Sequence, residues 1–387
     1  MWIKHNKTSL SKMLLLLVIL LVGGLIASGC LSGLQPVGWS GGTVADGTVF
    51  LGSIEGRLVA VNISDGTRQW SEPLTTSGST GGFGCTTAPA GVALYGTPVV
   101  AGNLVYISGY NGKIYAFDST SLQKRWVYPP EGNLQPIIGG PVLALGKVYF
   151  GVYDSDDKVG KVYALKADTG VKVWESSPAG DKIWSTPVID GETLYISSFD
   201  KKVYALDATT GEKKWETVEA EGAIAATPLV YNNTVYFGSF DRYLYAVNTT
   251  DGNLRWKSEI EAGSWFWVKP IIYNNTVYAP SLDGKVYILD AESGDELVDA
   301  IDLGNPVSSS PVLVDGSIII ASGEGRIYSL DTTNNQIKPL ADVREKVDAP
   351  LWASDGVVYV HAQESETIYA LSTATGAELW NLSLSSE

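Results

Sequence analysis

The stretch YALDATTGEKKW, residues 204–215, opens on an alternating apolar run, turns at Gly211 and closes on Trp215. Related stretches start at Val59, Tyr115, Tyr163, Tyr204, Tyr245, Tyr287, Tyr328 and Tyr369, spaced by 56, 48, 41, 41, 42, 41 and 41 residues. A period near 41 residues marks an architecture in which one supersecondary unit recurs. Seven residues after each start stands Gly66, Gly170, Gly211, Gly252, Gly294 or Gly376, with Asn335 in the seventh copy and Leu122 as the exception in the second. Glycine and asparagine accept the left-handed backbone that a tight strand-to-strand turn requires. Four residues further on comes Trp70, Trp126, Trp174, Trp215, Trp256 or Trp380, replaced by Val298 and Pro339 in the sixth and seventh copies.

Upstream of five of these starts, Pro98, Pro187, Pro228, Pro270 and Pro311 each stand 17 residues away. Between proline and tyrosine lie two alternating runs, such as PVIDG and TLYISS, joined by Asp-Gly, Asn-Asn or Gly-Glu pairs. Period-two alternation of Val, Ile and Tyr bounded by such turns reads as strand and hairpin. Each copy is therefore four short antiparallel strands. Eight such units without a sustained 3.6-residue period predict an all-β fold, an eight-bladed β-propeller over residues 42–387. A linear β-helix needs much shorter repeats. The tryptophan, on the outer strand of each sheet, is expected to pack between neighbouring blades.

The first thirty residues have a different grammar. Lys4, Lys7 and Lys12 precede an apolar run that ends in LIASGC, the order of a secretory signal. ASGC resembles a lipobox, which predicts a signal peptide over 1–29, lipid attachment at Cys30 and a tether over 30–41. The expected location is exported, lipid-anchored to a membrane and facing the periplasm or cell exterior. A net charge of −15 leaves no basic stripe for phosphates, so nucleic acid is not an expected partner. After signal cleavage the folded body keeps one cysteine, Cys85, and one histidine, His361. A lone thiol cannot staple itself, and a Cys/His zinc site needs several ligands. His361, in the alternating run VVYVHAQ, reads as an ordinary strand residue, and no catalytic residue is assigned.

YALDATTGEKKW also resembles the repeat of the PQQ-like β-propeller families, which include quinoprotein alcohol dehydrogenases and the BamB-like lipoproteins of outer-membrane assembly. The likeness runs from Gly42 to about Ser383, because tyrosine, glycine and tryptophan recur together at fixed offsets. It implies inter-blade docking for the six tryptophans. Quinoproteins carry an adjacent cysteine pair under the cofactor and carboxylate and amide ligands for calcium; here Cys85 stands alone in GGFGCTTAPAG. Asp154, Asp156 and Asp157 form the best carboxylate cluster, yet they sit in DSDDKVG, an insertion that reads as a solvated loop. No cofactor and no metal are therefore expected. Anchoring, size and the lack of an extra domain favour a BamB-like protein-binding scaffold; the alternatives are a PQQ-dependent oxidoreductase and a ligand-sensing propeller.

One segment departs from its counterparts. GSWFWVKP, residues 263–270, is bulky where other copies read DKIWSTPV, GAIAATPL and PVSSSPVL. Three residues before each aligned proline, or before Gly42, stand Trp39, Tyr95, Ile138, Trp184, Ala225, Trp267, Ser308 and Val347. This position leads into the first strand of its blade, which in a propeller borders the central channel. Trp39, Tyr95, Trp184 and Trp267 are thus expected to converge on the channel mouth, with Trp265 on the same side as Trp267 and Phe266 facing inward. The rings either plug a wide ring or form a recognition surface for a protein partner or ligand. The Gly/Ser-rich connection 71–96 is expected over the same mouth.

Overall fold

The computed structural model describes residues 38–64, 66–74, 91–217 and 219–384. Cys30, Cys85, the signal segment, and most of the tether and of the 71–96 connection lie outside the described residues. The rest is the expected all-β fold: eight four-stranded antiparallel sheets, each with its strands in sequence order. Blade 4 shows the plan with Val188–Asp190, Thr193–Ser197, Val203–Asp207 and Lys213–Glu216. First strands of successive blades touch, so the short first strand is innermost.

Local chemistry explains the hairpins. Asn232 and Asn233 take φ of 43° and 57°, and Asp315 and Gly316 take 46° and 76°, the paired left-handed geometry of a tight turn matched to strand twist. The position seven residues after each aligned start is also left-handed throughout, including Leu122 at φ 52°. The exception in sequence is therefore no exception in backbone.

Buried side chains group at the seams between blades. Tyr149, Ala164 and Trp174 of blade 3 pack with Leu194, Ile196 and Leu206 of blade 4, and equivalent clusters occupy the other seams. Neither face of a blade is complete alone, which is the physical reason for the ring. The tryptophans lie at these seams. Trp126, Trp174, Trp215 and Trp256 donate their indole N–H to the carbonyls of Ala167, Ala208, Thr249 and Ala291 on the next blade, at 3.0, 3.2, 2.8 and 3.0 Å. Each ring also covers the turn glycine of that blade: a Cβ added to Gly211 would come within 2.7 Å of Trp174. Gly211 is thus required for close approach as well as for its turn.

Trp70 departs from this arrangement. In blades 2, 3, 4, 5 and 8 a one-residue bulge sets the tryptophan opposite an alanine, as with Trp215 and Ala205. Blade 1 has no such bulge, so Gln69 faces Ala60 and Trp70 faces Val59. A single-residue shift moves a side chain to the opposite sheet face. Trp70 therefore packs backward, with Val59 and Val61, towards blade 8. Gln69 reaches forward instead, its amide donating to Ser121 O at 3.3 Å. Leu122 fills part of that seam, buried with Phe50 and Ala60.

The ring closes without strand exchange. Val49, Leu51, Val59 and Val61 of blade 1 pack with Trp352, Tyr359, Ile368 and Ala370 of blade 8. Arg68 Nη1 donates to Ser383 O, and Ile54 N–H donates to the Glu366 carboxylate, joining blades 1 and 8.

Candidate functional site

Eight chain entries meet at the end of the channel where each outer strand hands over to the next blade. An open cavity of ≈130 Å³ there is lined by residues of every blade, among them Trp39, Tyr95, Ile138, Trp184, Ala225, Trp267, Ser308 and Asp348. Six of these are the residues three before the aligned proline, and Trp39 stands three before Gly42. In blade 8 that residue, Val347, is instead fully buried in the blade 7–8 seam, and Asp348 reaches the cavity.

The aromatic residues form two groups. Trp39 meets Tyr95 edge-on at 4.5 Å, and Tyr95 meets Tyr110 at 5.4 Å. Across the ring, Trp184 contacts Phe199 at 4.5 Å and Trp267 at 6.5 Å. Phe240 stacks on Trp265 at 4.4 Å and on Trp267 at 5.7 Å, and touches Phe199 at 5.8 Å. Alternation along GSWFWVKP is as expected: Phe266 is buried against Tyr287, whereas Trp265 is 45% exposed. Trp265 does not line the cavity; it belongs to the aromatic surface beside it.

Sequence reasoning missed Phe199, Phe240 and Tyr110. They share one repeat position, five residues before Tyr204, Tyr245 and Tyr115, in the turn between the second and third strands. Comparing that position between copies would have found them. Asp200 follows Phe199, Asp241 follows Phe240, and Asp283 holds the same place after Leu282 in blade 6; each accepts the tyrosine O–H of its own blade at 2.6 to 2.7 Å, whereas Asn111, after Tyr110, donates its amide to the Tyr115 hydroxyl at 2.7 Å. Each aspartate also accepts a backbone N–H from the entering segment, at Gly180, Glu221 and Gly263. These carboxylates clamp the turn to the entry and so position the rings. Burial first, and then the 2.6–2.7 Å bonds to the carboxylates, push the Tyr204, Tyr245 and Tyr287 hydroxyls far above the usual tyrosine range.

The charged groups of the cavity are unequal. Asp348 is held by Ser308 Oγ at 2.6 Å and Lys346 Nζ at 2.7 Å. Burial pulls the Lys269 ammonium below the usual lysine range, and among the described residues no carboxylate pairs with it. Burial also raises Tyr95, with Tyr110 adding to the effect. Lys182 lies 5.9 Å above the Trp184 ring, an added contact for an indole face. His361 is buried between blades 8 and 1 with Nδ1 3.0 Å from Ser40 O. Burial lowers its pKa, so it packs as a neutral ring. In the blade 3 insertion, Lys161 Nζ lies 2.6 Å from Asp154 and 2.9 Å from Asp157. Among the described residues no three His, Cys, Asp or Glu side chains gather to hold a metal.

The family model for the outer membrane protein assembly factor BamB matches residues 35–159 and 158–382. The BamB of Shewanella oneidensis is 27% identical over 174 residues, which span 42% of this chain and 38% of that protein. The quinohemoprotein alcohol dehydrogenase of Comamonas testosteroni is 32% identical over 89 residues, 21% of this chain and 12% of the enzyme. The crystal structure of BamB from Moraxella catarrhalis superposes with a TM-score of 0.66 at 18% identity, covering 86% of this chain and 96% of that one. The matched stretch thus spans under two fifths of the Shewanella protein, while the family model covers nearly all of the ring. On that coverage, the chain belongs to the BamB family of outer membrane protein assembly factors.

Proposed function

We propose that this chain is a membrane-tethered scaffold that binds a protein component of outer-membrane assembly through the aromatic face of blades 4 to 6. The observation that carries the reading is the contiguous surface of Trp184, Phe199, Phe240, Trp265 and Trp267. A stacked aromatic surface on a rigid ring is the composition of binding hot spots, and its exposure to water is unfavourable unless a partner covers it. Family membership supports the partner class. Lipid attachment at Cys30 supplies the tether, and the acidic body faces the periplasm or cell exterior. Binding is preferred to catalysis because the ionisable groups lining the cavity are Lys269, Asp348 and Tyr95, and Asp348 is already tied to Lys346.

The test is the Trp265→Ala, Trp267→Ala double variant. It is expected to keep a cooperative thermal transition within a few degrees of the parent and to lose capture of assembly proteins from envelope extracts. If the variant unfolds early while capture per folded molecule is intact, the rings are a channel plug and the scaffold reading fails.

A further inference from the structure

The residue before the aligned proline supplies a second set of groups to the cavity. In blades 2, 4, 5, 6 and 7 it is Thr97, Thr186, Thr227, Lys269 and Ser310, and all five line the cavity. Thr186 Oγ1 accepts the Gly140 N–H at 2.9 Å, and Thr227 Oγ1 accepts the Thr186 N–H at 3.2 Å. A hydroxyl has one proton and two lone pairs, so these bonds use lone pairs and leave the protons free to donate. Among the described residues no acceptor takes the hydroxyl protons of Thr97, Thr186, Thr227 or Ser310, and none pairs with the Lys269 ammonium. The acid in the lining, Asp348, is engaged by Ser308 and Lys346. The chamber therefore holds a surplus of donors and one uncompensated positive charge, partly withdrawn from water. Such a charge is unfavourable unless paired and hydrogen-bonded.

We infer that the channel mouth is a binding site for a carboxylate, with Lys269 as its counter-charge, the threonine and serine hydroxyls as its donors, and the indoles of Trp184 and Trp267 flanking the carbon attached to it. Three observations select the class. A single ammonium neutralises one charge. The chain's net charge of −15 disfavours a multiply charged anion such as phosphate. The cavity is small, ≈130 Å³, and open on one side, which suits a carboxylate whose stem leads outward. A short organic acid and the end of a polypeptide share this chemistry. The inference deepens the proposed function by specifying what the mouth of the aromatic face recognises.

The experiment is calorimetric titration of the whole folded protein with acetate, with propionate, and with a short apolar peptide prepared as free acid and as C-terminal amide. Carboxylates are expected to bind and the amide not to. Lys269→Met, which keeps length and removes charge, should weaken binding about tenfold or more, whereas Lys269→Arg should retain it. Thr97→Val gives an independent reading through a hydroxyl that makes no hydrogen bond among the described residues, and should weaken binding by a smaller factor. Binding of the short acids identifies a small-molecule site, and binding of the peptide acid alone identifies a chain end. Equal affinity in Lys269→Met and the parent, or saturation of the chamber by ordered water with no acid bound, overturns the inference. Loss of acid binding with partner capture intact removes this inference alone. Capture that survives the Trp265, Trp267 double change removes the scaffold reading alone.

Discussion

At the blade 1–2 seam the structure has exchanged a tryptophan–glycine pair for Gln69 and Leu122, and the exchange can be reversed. Elsewhere a Cβ on the turn glycine would fall within 2.6–2.7 Å of the docked indole, so an indole and a leucine cannot share one seam position. Changing Gln69→Trp alone should therefore overpack the seam, at about 1–3 kcal/mol. Leu122→Gly alone removes a side chain only 3% exposed. That loss costs about 2–5 kcal/mol, less about 1–2 kcal/mol for relief of a left-handed non-glycine backbone. In the double variant the ring should settle over the new glycine, its N–H reaching Ser119 O as Trp126 reaches Ala167 O, and stability should return to within about 1 kcal/mol of the parent. The same seam holds a cavity of ≈380 Å³ lined by Phe50, Ala60, Gln69 and Ser119, but the position over the turn is closed until the buried Leu122 side chain is removed. The assay is urea unfolding followed by two probes, with the interaction free energy taken from the double-mutant cycle. An interaction of about 2 kcal/mol or more is expected. Additive losses would show that the two exceptions are unrelated and that the seam is set by other contacts.

Trp215→Ala should cost about 3–5 kcal/mol, because it removes both a buried ring and the bond to Thr249, whereas Val298→Ala, at a position 38% exposed, should fall within about 0.5 kcal/mol; equal losses in urea unfolding would refute the docking role. Glu366, at the closing seam, has its carboxyl pushed up to about 7, by burial first and then by the neighbouring Glu55, against an ordinary value of 4.5. The folded state therefore holds the proton more tightly than the unfolded one, so this contribution is complete below about pH 4.5 and is lost as pH rises through about 7. Glu366→Gln should flatten the fall in unfolding midpoint between those pH values, and an unchanged pH profile would exclude Glu366 as its source. Cys30→Ser should abolish metabolic lipid labelling and release the protein from membranes, and labelling that persists would show that the lipid is elsewhere.

Repeat number, strand count, hairpin turns and the inward position of Phe266 were all legible in the sequence. Each depends on local rules: a left-handed turn needs glycine or asparagine, and strand alternation sends successive side chains to opposite faces. The convergence of Trp39, Tyr95, Trp184 and Trp267 on one cavity was also legible, because a repeat carries each position to the same radius and the same end of the ring. Only tertiary structure decided the fate of Trp70. GTRQW and GEKKW have the same spacing, but a bulge present in one and absent in the other sends the two indoles to opposite seams. The roles of Leu122, Phe199 and Phe240 were hidden for a related reason. Each is ordinary within its own copy and acquires meaning from a neighbouring blade, Leu122 by filling what Gln69 leaves open and the phenylalanines by bridging rings from separate entries. A repeated sequence specifies its unit through local conformational preference. What happens between units depends on the shapes that two copies present to each other across a seam, and a one-residue shift is enough to change them.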